Sequence, residues 1–266
     1  MFWWRNEVRP GVSVAFTDTG AGNLALHVQD DPSEVMARRA RLEQAVGLDS
    51  HVPATARFQY MNQVHGNHVE FIQAHGPGPT ADAMVSAATA PGNVGTEDQN
   101  PGGAQSPGHQ SPGSSPSLVQ PLAVMVADCV PVLLVGADVA GNAVLAAAHA
   151  GRPGVASAVV PATVAEMRRR GARDISAWLG PSICGACYEV PEQLRADVAA
   201  AIPETWSTTS WGTPALDLPA GVRAQLASLD VSVEYSGECT LENDALFSYR
   251  RDSLTGRFAG LVWTHD

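Results

Sequence analysis

Residues 121–151 read PLAVMVADCVPVLLVGADVAGNAVLAAAHAG, and this stretch decides the fold. It holds three apolar runs, at 124–126, 132–135 and 143–147. Each is too short for a helix and lacks the alternation of a half-exposed strand, so each reads as a strand buried on both faces. Gly141-Asn142 supplies the turn before the last run. Residues 155–170 then read as a helix closed by Gly171, the usual place for a C-terminal glycine. Working outward, 175–179, 231–235 and 258–263 are further strands, and 82–85 and 58–61 are strand-like. Helices are expected at 31–46, 191–202 and 218–229, each with a proline near its start. Strands and helices mix without a regular repeat, which predicts an α+β layered fold.

One segment breaks this pattern. From about residue 90 to 117 the chain is dominated by Gly, Pro, Ser, Asn and Gln. Such a composition buries too little apolar surface to offset the entropy of ordering it. Strand-like sequence resumes on both sides, so the segment reads as a disordered insertion within one domain spanning 1–266. With 266 residues and 45% hydrophobic composition the chain can bury a large core.

Charge excludes several functions. The formal net charge is −11, from 16 basic against 27 acidic residues, which argues against nucleic acid and against an anionic membrane surface as partners. The run Arg168-Arg169-Arg170 complements the dipole at the end of its expected helix. No apolar stretch reaches the roughly 18 residues of a membrane span. The start, Met1-Phe2-Trp3-Trp4-Arg5-Asn6-Glu7, has neither a basic leader nor an apolar core of a signal. Four Cys in a chain this size do not make a disulfide scaffold, so a cytoplasmic protein is expected.

The chemistry-bearing segments are Gln63-Val64-His65-Gly66, Ala127-Asp128-Cys129-Val130-Pro131 and Ala148-His149-Ala150-Gly151. Cys129 and His149 fall at the ends of consecutive buried strands, and small neighbours leave room for a ligand. Two imidazoles and a thiol suit a catalytic zinc site with an open fourth position. They equally suit a hydrolase with Cys129 as nucleophile and His65 or His149 as base. A third possibility is a structural ion closed by a fourth ligand such as Cys187.

Cys184-Gly185-Ala186-Cys187 has C-x-x-C spacing but no second pair, and reads as buried or pocket-lining thiols; Cys239 reads as core. Gly180-Pro181-Ser182 and Tyr188-Glu189-Val190 flank that pair in a strand-to-helix loop that can line a pocket. The same holds for residues 247–252 and for Thr255-Gly256-Arg257, and Arg250 could point an anion-binding fork inward. His27, His51, His68, His75, His109 and His265 show no partner pattern and read as surface residues.

Taken in order, these motifs resemble the laccase-domain family, often labelled multicopper polyphenol oxidase and described as purine nucleoside phosphorylases. The resemblance runs from about Phe16 to Trp263 and rests on Gln63-Val-His-Gly66, Ala127-Asp-Cys-Val-Pro131, Ala148-His-Ala-Gly151, Gly180-Pro-Ser-Ile183, Cys187-Tyr-Glu-Val190, Phe247-Ser-Tyr-Arg-Arg-Asp252 and Thr255-Gly-Arg257. It implies a four-layer αββα sandwich with mixed sheets and a catalytic zinc on His65, Cys129 and His149. It implies phosphorolysis of adenosine, inosine, guanosine and 5'-methylthioadenosine to base and sugar 1-phosphate, with adenosine deamination as a second activity. The partners are then a purine nucleoside and phosphate. The oxidase label implies copper and phenols, which the chemistry disfavours, because there is no H-x-H pair and no Met-Cys-His grouping.

Within that resemblance Gln63, Arg152, Ser182, Tyr188 and Arg250 are the expected substrate contacts. Asp128 and Glu189 are the expected general acid/base candidates. Two places depart from the family pattern. Arg152-Pro153 stands where the family has Trp-Arg, and the segment around Thr17-Asp18-Thr19-Gly20 is shorter than the Arg- and Gly-rich family one.

Overall fold

The computed structural model of the chain describes residues 1–48, 57–88 and 119–265. The insertion expected at 90–117, and His51 and His109, lie outside the described residues. In chain order the strands and α-helices are β1 (Phe2–Arg9), β2 (Val12–Thr17), α1 (Pro32–Ala45), β3 (Val69–Ile72), β4 (Ala83–Ala87), β5 (Leu122–Val126), β6 (Val130–Ala137), β7 (Ala143–Ala150), α2 (Arg152–Ala156), α3 (Val159–Arg169), β8 (Arg173–Leu179), α4 (Glu192–Ala201), β9 (Trp206–Thr208), β10 (Pro214–Leu216), α5 (Leu218–Ala227), β11 (Ser232–Tyr235) and β12 (Phe258–Thr264).

Two sheets carry the architecture. One has four antiparallel strands in the order β1-β2-β12-β5. The other is mixed, in the order β11-β8-β6-β7-β4-β3, with β11/β8 and β3/β4 parallel and the rest antiparallel. Alternation along β6 assigns its faces. Leu133 and Val135 point at the four-stranded sheet, where Val14, Phe16, Val124 and Val126 meet them. Val132 and Leu134 point the other way, into a core shared with Val160, Val164 and Met167 of α3, Val198 of α4, and Val222 and Leu226 of α5. On the far side, Ala123, Leu261 and Trp263 of the four-stranded sheet pack under Leu42 of α1. The layers are therefore helix, sheet, sheet, helices: an αββα sandwich. Strands β6 and β7 read as unbroken apolar runs because both of their faces are covered.

Three differences from the sequence reading have physical causes. The helix expected at 155–170 is two helices, broken at Ser157-Ala158, where Ala158 has φ +64°. Pro161 has no N–H to donate to the Ser157 carbonyl, so an uninterrupted helix would leave that acceptor unmatched. Asn67 donates to it instead, at 2.8 Å. Residues 58–61 run beside β5 through a single bridge, Gln59 to Leu122, not as a full strand. The hairpin β1–β2, turned at Pro10-Gly11 with Gly11 at φ +72°, was not expected, because the charges in Phe2–Arg9 hide its pattern. Helix α1 begins as expected: Asp31 accepts from the Ser33 N–H and Pro32 occupies the first turn. Among the described residues no helix is long and apolar enough to cross a membrane.

Candidate active site

The sandwich brings three chain segments to one end of the sheets. His149 is the penultimate residue of β7 and pairs across the ladder with Pro131 of β6. Cys129 lies one residue before β6, in the turn from β5. His65 comes from the loop between 63 and 66, which reaches over from the side of β4. The ligand-capable atoms of His65, Cys129 and His149 all lie within 4.8 Å of one another. The Cys129 Sγ is 3.9 Å from the His65 Nε2, and the two imidazole rings stand edge to face with centroids 4.6 Å apart.

Two of these positions depend on left-handed backbone at residues other than glycine. His65 has φ +61° and Asp128 has φ +87°. Each such conformation costs about 1–3 kcal/mol and persists only where surrounding bonds over-determine it. Asp128, buried beside Cys129, accepts from the Thr240 hydroxyl and from the Arg250 N–H, both at 2.7 Å. Its carboxylate is thereby committed to holding the turn. Gln63 is committed as well: its amide N–H donates to the Met125 carbonyl at 2.7 Å, and its oxygen accepts from the Met125 N–H at 2.9 Å.

The residue that organises the loop at His65 was not singled out from sequence. Asp82, fully buried just before β4, accepts from the backbone N–H groups of His65 at 2.9 Å and Gly66 at 2.6 Å, and from that of Val64 at 3.2 Å. The same carboxylate takes the His149 Nδ1–H at 2.9 Å. One side chain thus fixes the loop of one imidazole and the tautomer of the other. With Nδ1 engaged, Nε2 is the atom of His149 left for a ligand. Nothing in the sequence marks this role, since three of the four partners are backbone groups.

Charge at the cluster follows from this arrangement. Burial pushes the Cys129 thiol up, but His149 and His65 outweigh it and bring the thiol down to about 6. Burial lowers the His149 imidazole, yet the Cys129 sulfur and Asp82 prevail and raise it to about 9. Asp82 is likewise raised by burial and, on balance, lowered by its donors, His149 first. The thiol is therefore predisposed to act as thiolate, the form needed by a metal ligand or a nucleophile.

Gly151 makes the convergence possible. A Cβ there would sit 2.8 Å from His65 Cδ2, 3.1 Å from Cys129 Sγ and 3.5 Å from His149 Cε1. The residues fit a thiophilic cation: two imidazoles, a thiol of depressed pKa, a carboxylate behind one imidazole, and a void where they meet. Cys187 does not complete this set; it belongs to a separate group with Cys184, Cys239 and Glu242. The expectation of an ion closed by Cys187 is corrected on that ground.

The cluster opens into a cavity of about 450 Å³, a size suited to a small-molecule ligand. Gln63, Asp128, Arg152, Tyr188 and Arg250 line it, as expected from sequence. Arg152 does so from the first turn of α2, so the Arg152-Pro153 departure still delivers a guanidinium. Arg250 stacks over the Tyr188 ring at 4.6 Å and donates to the Glu189 carbonyl at 2.8 Å.

One expected substrate contact, Ser182, and one expected acid/base candidate, Glu189, do not line the cavity. Ser182 is fully buried and pairs by a backbone bridge with Cys239. Glu189 is exposed and accepts from the Trp211 indole at 2.7 Å in the neighbouring groove. His27, read as a surface residue, is exposed and also lines the cavity; Tyr249 and Arg257, from segments read as able to line a pocket, line it too. Burial, then Arg257, lowers the His27 imidazole. Three arginines, Arg152, Arg250 and Arg257, thus line the cavity in a chain of net charge −11.

Comparison with known proteins identifies the family. Residues 6–93 and 116–265 match the family model described as multi-copper polyphenol oxidoreductase laccase. A Streptomyces griseus protein named purine nucleoside phosphorylase is 43% identical, over 94% of this chain and 93% of its own length. One of the same name from Deinococcus radiodurans is 36% identical, over 88% of this chain and 78% of its own. Among solved structures, a Neisseria meningitidis protein assigned to the DUF152 family superposes with a TM-score of 0.73 at 31% identity, covering 100% of this chain and 99% of that one. YlmD from Geobacillus stearothermophilus gives 0.73 at 25% identity, with 98% of each covered. On the extent of these matches and the shared sandwich, the chain belongs to the multi-copper polyphenol oxidoreductase laccase family, the laccase-domain family whose motifs its sequence resembles.

Proposed function

We propose that this chain is a purine nucleoside phosphorylase that uses a zinc ion held by His65, Cys129 and His149. One observation carries the reading: a three-donor cluster opening on a cavity whose wall presents Arg152, Arg250 and Arg257. The names of the curated relatives point to the same chemistry. A polyphenol oxidase would need several copper centres rich in histidine, and the second metal-capable group among the described residues has none.

When bound, zinc supplies an electrophile and a means of activating water at neutral pH. The chain's own groups do the rest. Arg152 and Arg257 hold phosphate against the ribose, with an oxygen aimed at C1'. The C1'–N9 bond breaks as the C1'–O bond forms, and the purine leaves carrying the bond's electron pair and gaining a proton. Asp128 is committed to its turn and Glu189 lies outside the cavity, so neither is assigned that proton. His27 also lines the cavity, but burial and Arg257 hold it toward its neutral form, so it too is assigned no proton to give near neutral pH, and the purine takes its proton from water. Tyr188, stiffened by Arg250, offers a flat face for the purine. We include inosine, guanosine and 5'-methylthioadenosine as substrates, and deamination of adenosine as a separate reaction, in which water adds at C6 of the adenine ring and ammonia leaves to give inosine.

A second reading has an observation of its own. Asp82, His149 and Cys129 form a carboxylate–imidazole–thiol series, with the thiol lowered to about 6, as in a cysteine hydrolase. That reading leaves His65 and the arginines without work. Incubating metal-loaded protein with adenosine, with and without phosphate, and separating products by chromatography decides between them. Adenine formed only with phosphate supports the phosphorylase; inosine formed independently of it supports the deaminase. Cys129→Ala serves as the blank. Absence of both products with metal present overturns the proposal.

A further inference from the structure

Away from the cavity mouth the fold assembles a second set of soft donors from two turns. In the first, the N–H groups of Cys187 and Tyr188 both donate to the Cys184 carbonyl, at 3.0 Å each, folding residues 184–187 tightly. In the second, Glu242 and Asn243 donate to the Cys239 carbonyl at 3.2 and 3.1 Å, folding residues 239–242 the same way. The turns are fastened side by side. Ser182 N–H donates to the Glu238 carbonyl at 3.2 Å, and Thr240 N–H donates back to Ser182 at 3.1 Å. Each turn therefore presents residues i and i+3 toward the other, as C-x-x-C facing C-x-x-E.

The donor atoms of Cys184, Cys187, Cys239 and Glu242 all lie within 4.8 Å of one another. Thiolates about 2.3 Å from a tetrahedral zinc stand about 3.7 Å apart, so closure needs movements of about 1 Å or less. Two contacts already point inward: Cys184 N–H donates to Cys239 Sγ at 3.4 Å, and the Cys187 thiol donates to Glu242 Oε1 at 3.4 Å. The first turn packs closely against its surroundings: a Cβ on Gly185 would lie 2.6 Å from Asp217 Cβ. A disulfide between any two of the thiols leaves the third unmatched, whereas one cation satisfies all four groups. Cys187 and Cys239 are buried and Glu242 is exposed, which gives the ion a path from solvent.

We infer that Cys184, Cys187, Cys239 and Glu242 form a second, closed tetrahedral zinc site, separate from the cavity cluster. Four protein ligands leave no open position, so its role is structural. It ties the turn that carries Ile183 and Tyr188 of the cavity wall to the turn whose Thr240 holds Asp128. The site does not depend on which substrate the cavity takes.

Cobalt(II) titration of metal-free Cys129→Ala protein tests this, because the remaining cavity donors then include no thiolate. The expected result is sulfur-to-cobalt charge-transfer bands and intense tetrahedral ligand-field bands, saturating at one cobalt per chain and erased by zinc. Cys239→Ser abolishes the bands. Glu242→Gln, at an exposed position that does not threaten folding, weakens binding at least as much as the roughly 10–100-fold that loss of a mere supporting group brings. Absence of sulfur-to-cobalt bands in the Cys129→Ala protein overturns the site. So does cobalt affinity in Glu242→Gln equal to that of its parent, or isolation of the protein with two of these thiols joined and no metal taken up.

Discussion

Replacing Asp82 with Asn removes one charge and changes no shape, and its effect can be worked through atom by atom. The carboxylate has four donors to serve: His149 Nδ1–H, and the N–H groups of Val64, His65 and Gly66. An amide has one oxygen. If that oxygen stays with His149 and His65, the new NH2 confronts the Gly66 N–H across 2.6 Å, donor against donor. One charge-assisted bond is then lost, costing about 1.5–3 kcal/mol. If the amide turns over, the NH2 faces His149 Nδ1, which must give up its proton to Nε2 and so block the atom left for metal.

Either orientation damages the cluster. Zinc affinity should fall about 10–100-fold, equivalent to about 1.4–2.7 kcal/mol. Metal-free protein should lose about 2 kcal/mol in urea denaturation. Competition with a chromophoric chelator measures the first quantity and the urea midpoint the second. Zinc affinity within twofold of wild type, with an unchanged midpoint, would refute the assignment of Asp82 as the group that orders both histidines.

Other consequences are as direct. Gly151→Ala has a compatible backbone, at φ −75°, but its Cβ intrudes on His65 and Cys129, so zinc affinity should drop at least tenfold, roughly, while urea stability holds; unchanged metal affinity would show that the three donors do not meet at that void. Arg152→Ala should raise the phosphate KM roughly 30-fold, the equivalent of about 2 kcal/mol from a charged hydrogen bond, with a much smaller change in nucleoside KM; equal effects on both would remove Arg152 from phosphate binding. In chelator-treated protein, iodoacetamide alkylation of Cys129, followed by mass spectrometry, should rise with pH through a midpoint near 6 and level off above it, because only the thiolate reacts. A midpoint near the ordinary thiol value of about 8.5 would contradict the pairing with His149.

Legibility from sequence varied with the kind of contact involved. Strands β6 and β7 stand out because covered faces demand unbroken apolar runs, and that alone places Cys129 and His149 at neighbouring strand ends. Asp82 does not stand out: its role lies in distances to main-chain N–H groups, which residue identity does not encode. Ser182 and Glu189 were expected at the cavity; Ile183 lines it in place of Ser182, and of the pair Tyr188-Glu189 only Tyr188, also expected, does. A one-residue error in a loop is enough, since adjacent side chains point different ways. His27 and Arg257 reach the cavity from segments far apart in sequence, and their meeting is set by topology. Cys239 and Glu242 had the i, i+3 spacing of a half-site in plain view. Only the bridge between Ser182 and Cys239 brings them to the C-x-x-C turn.

The central claim is that phosphate, admitted by the arginines, takes the sugar at a metal-dependent centre. Phosphorus NMR of the protein with adenosine and phosphate tests it most directly, recorded metal-loaded, after chelation and after zinc is restored. The account predicts a ribose 1-phosphate signal growing in step with adenine, lost on chelation and recovered with zinc. Adenosine consumed with no sugar phosphate formed, or turnover indifferent to the chelator, would contradict it.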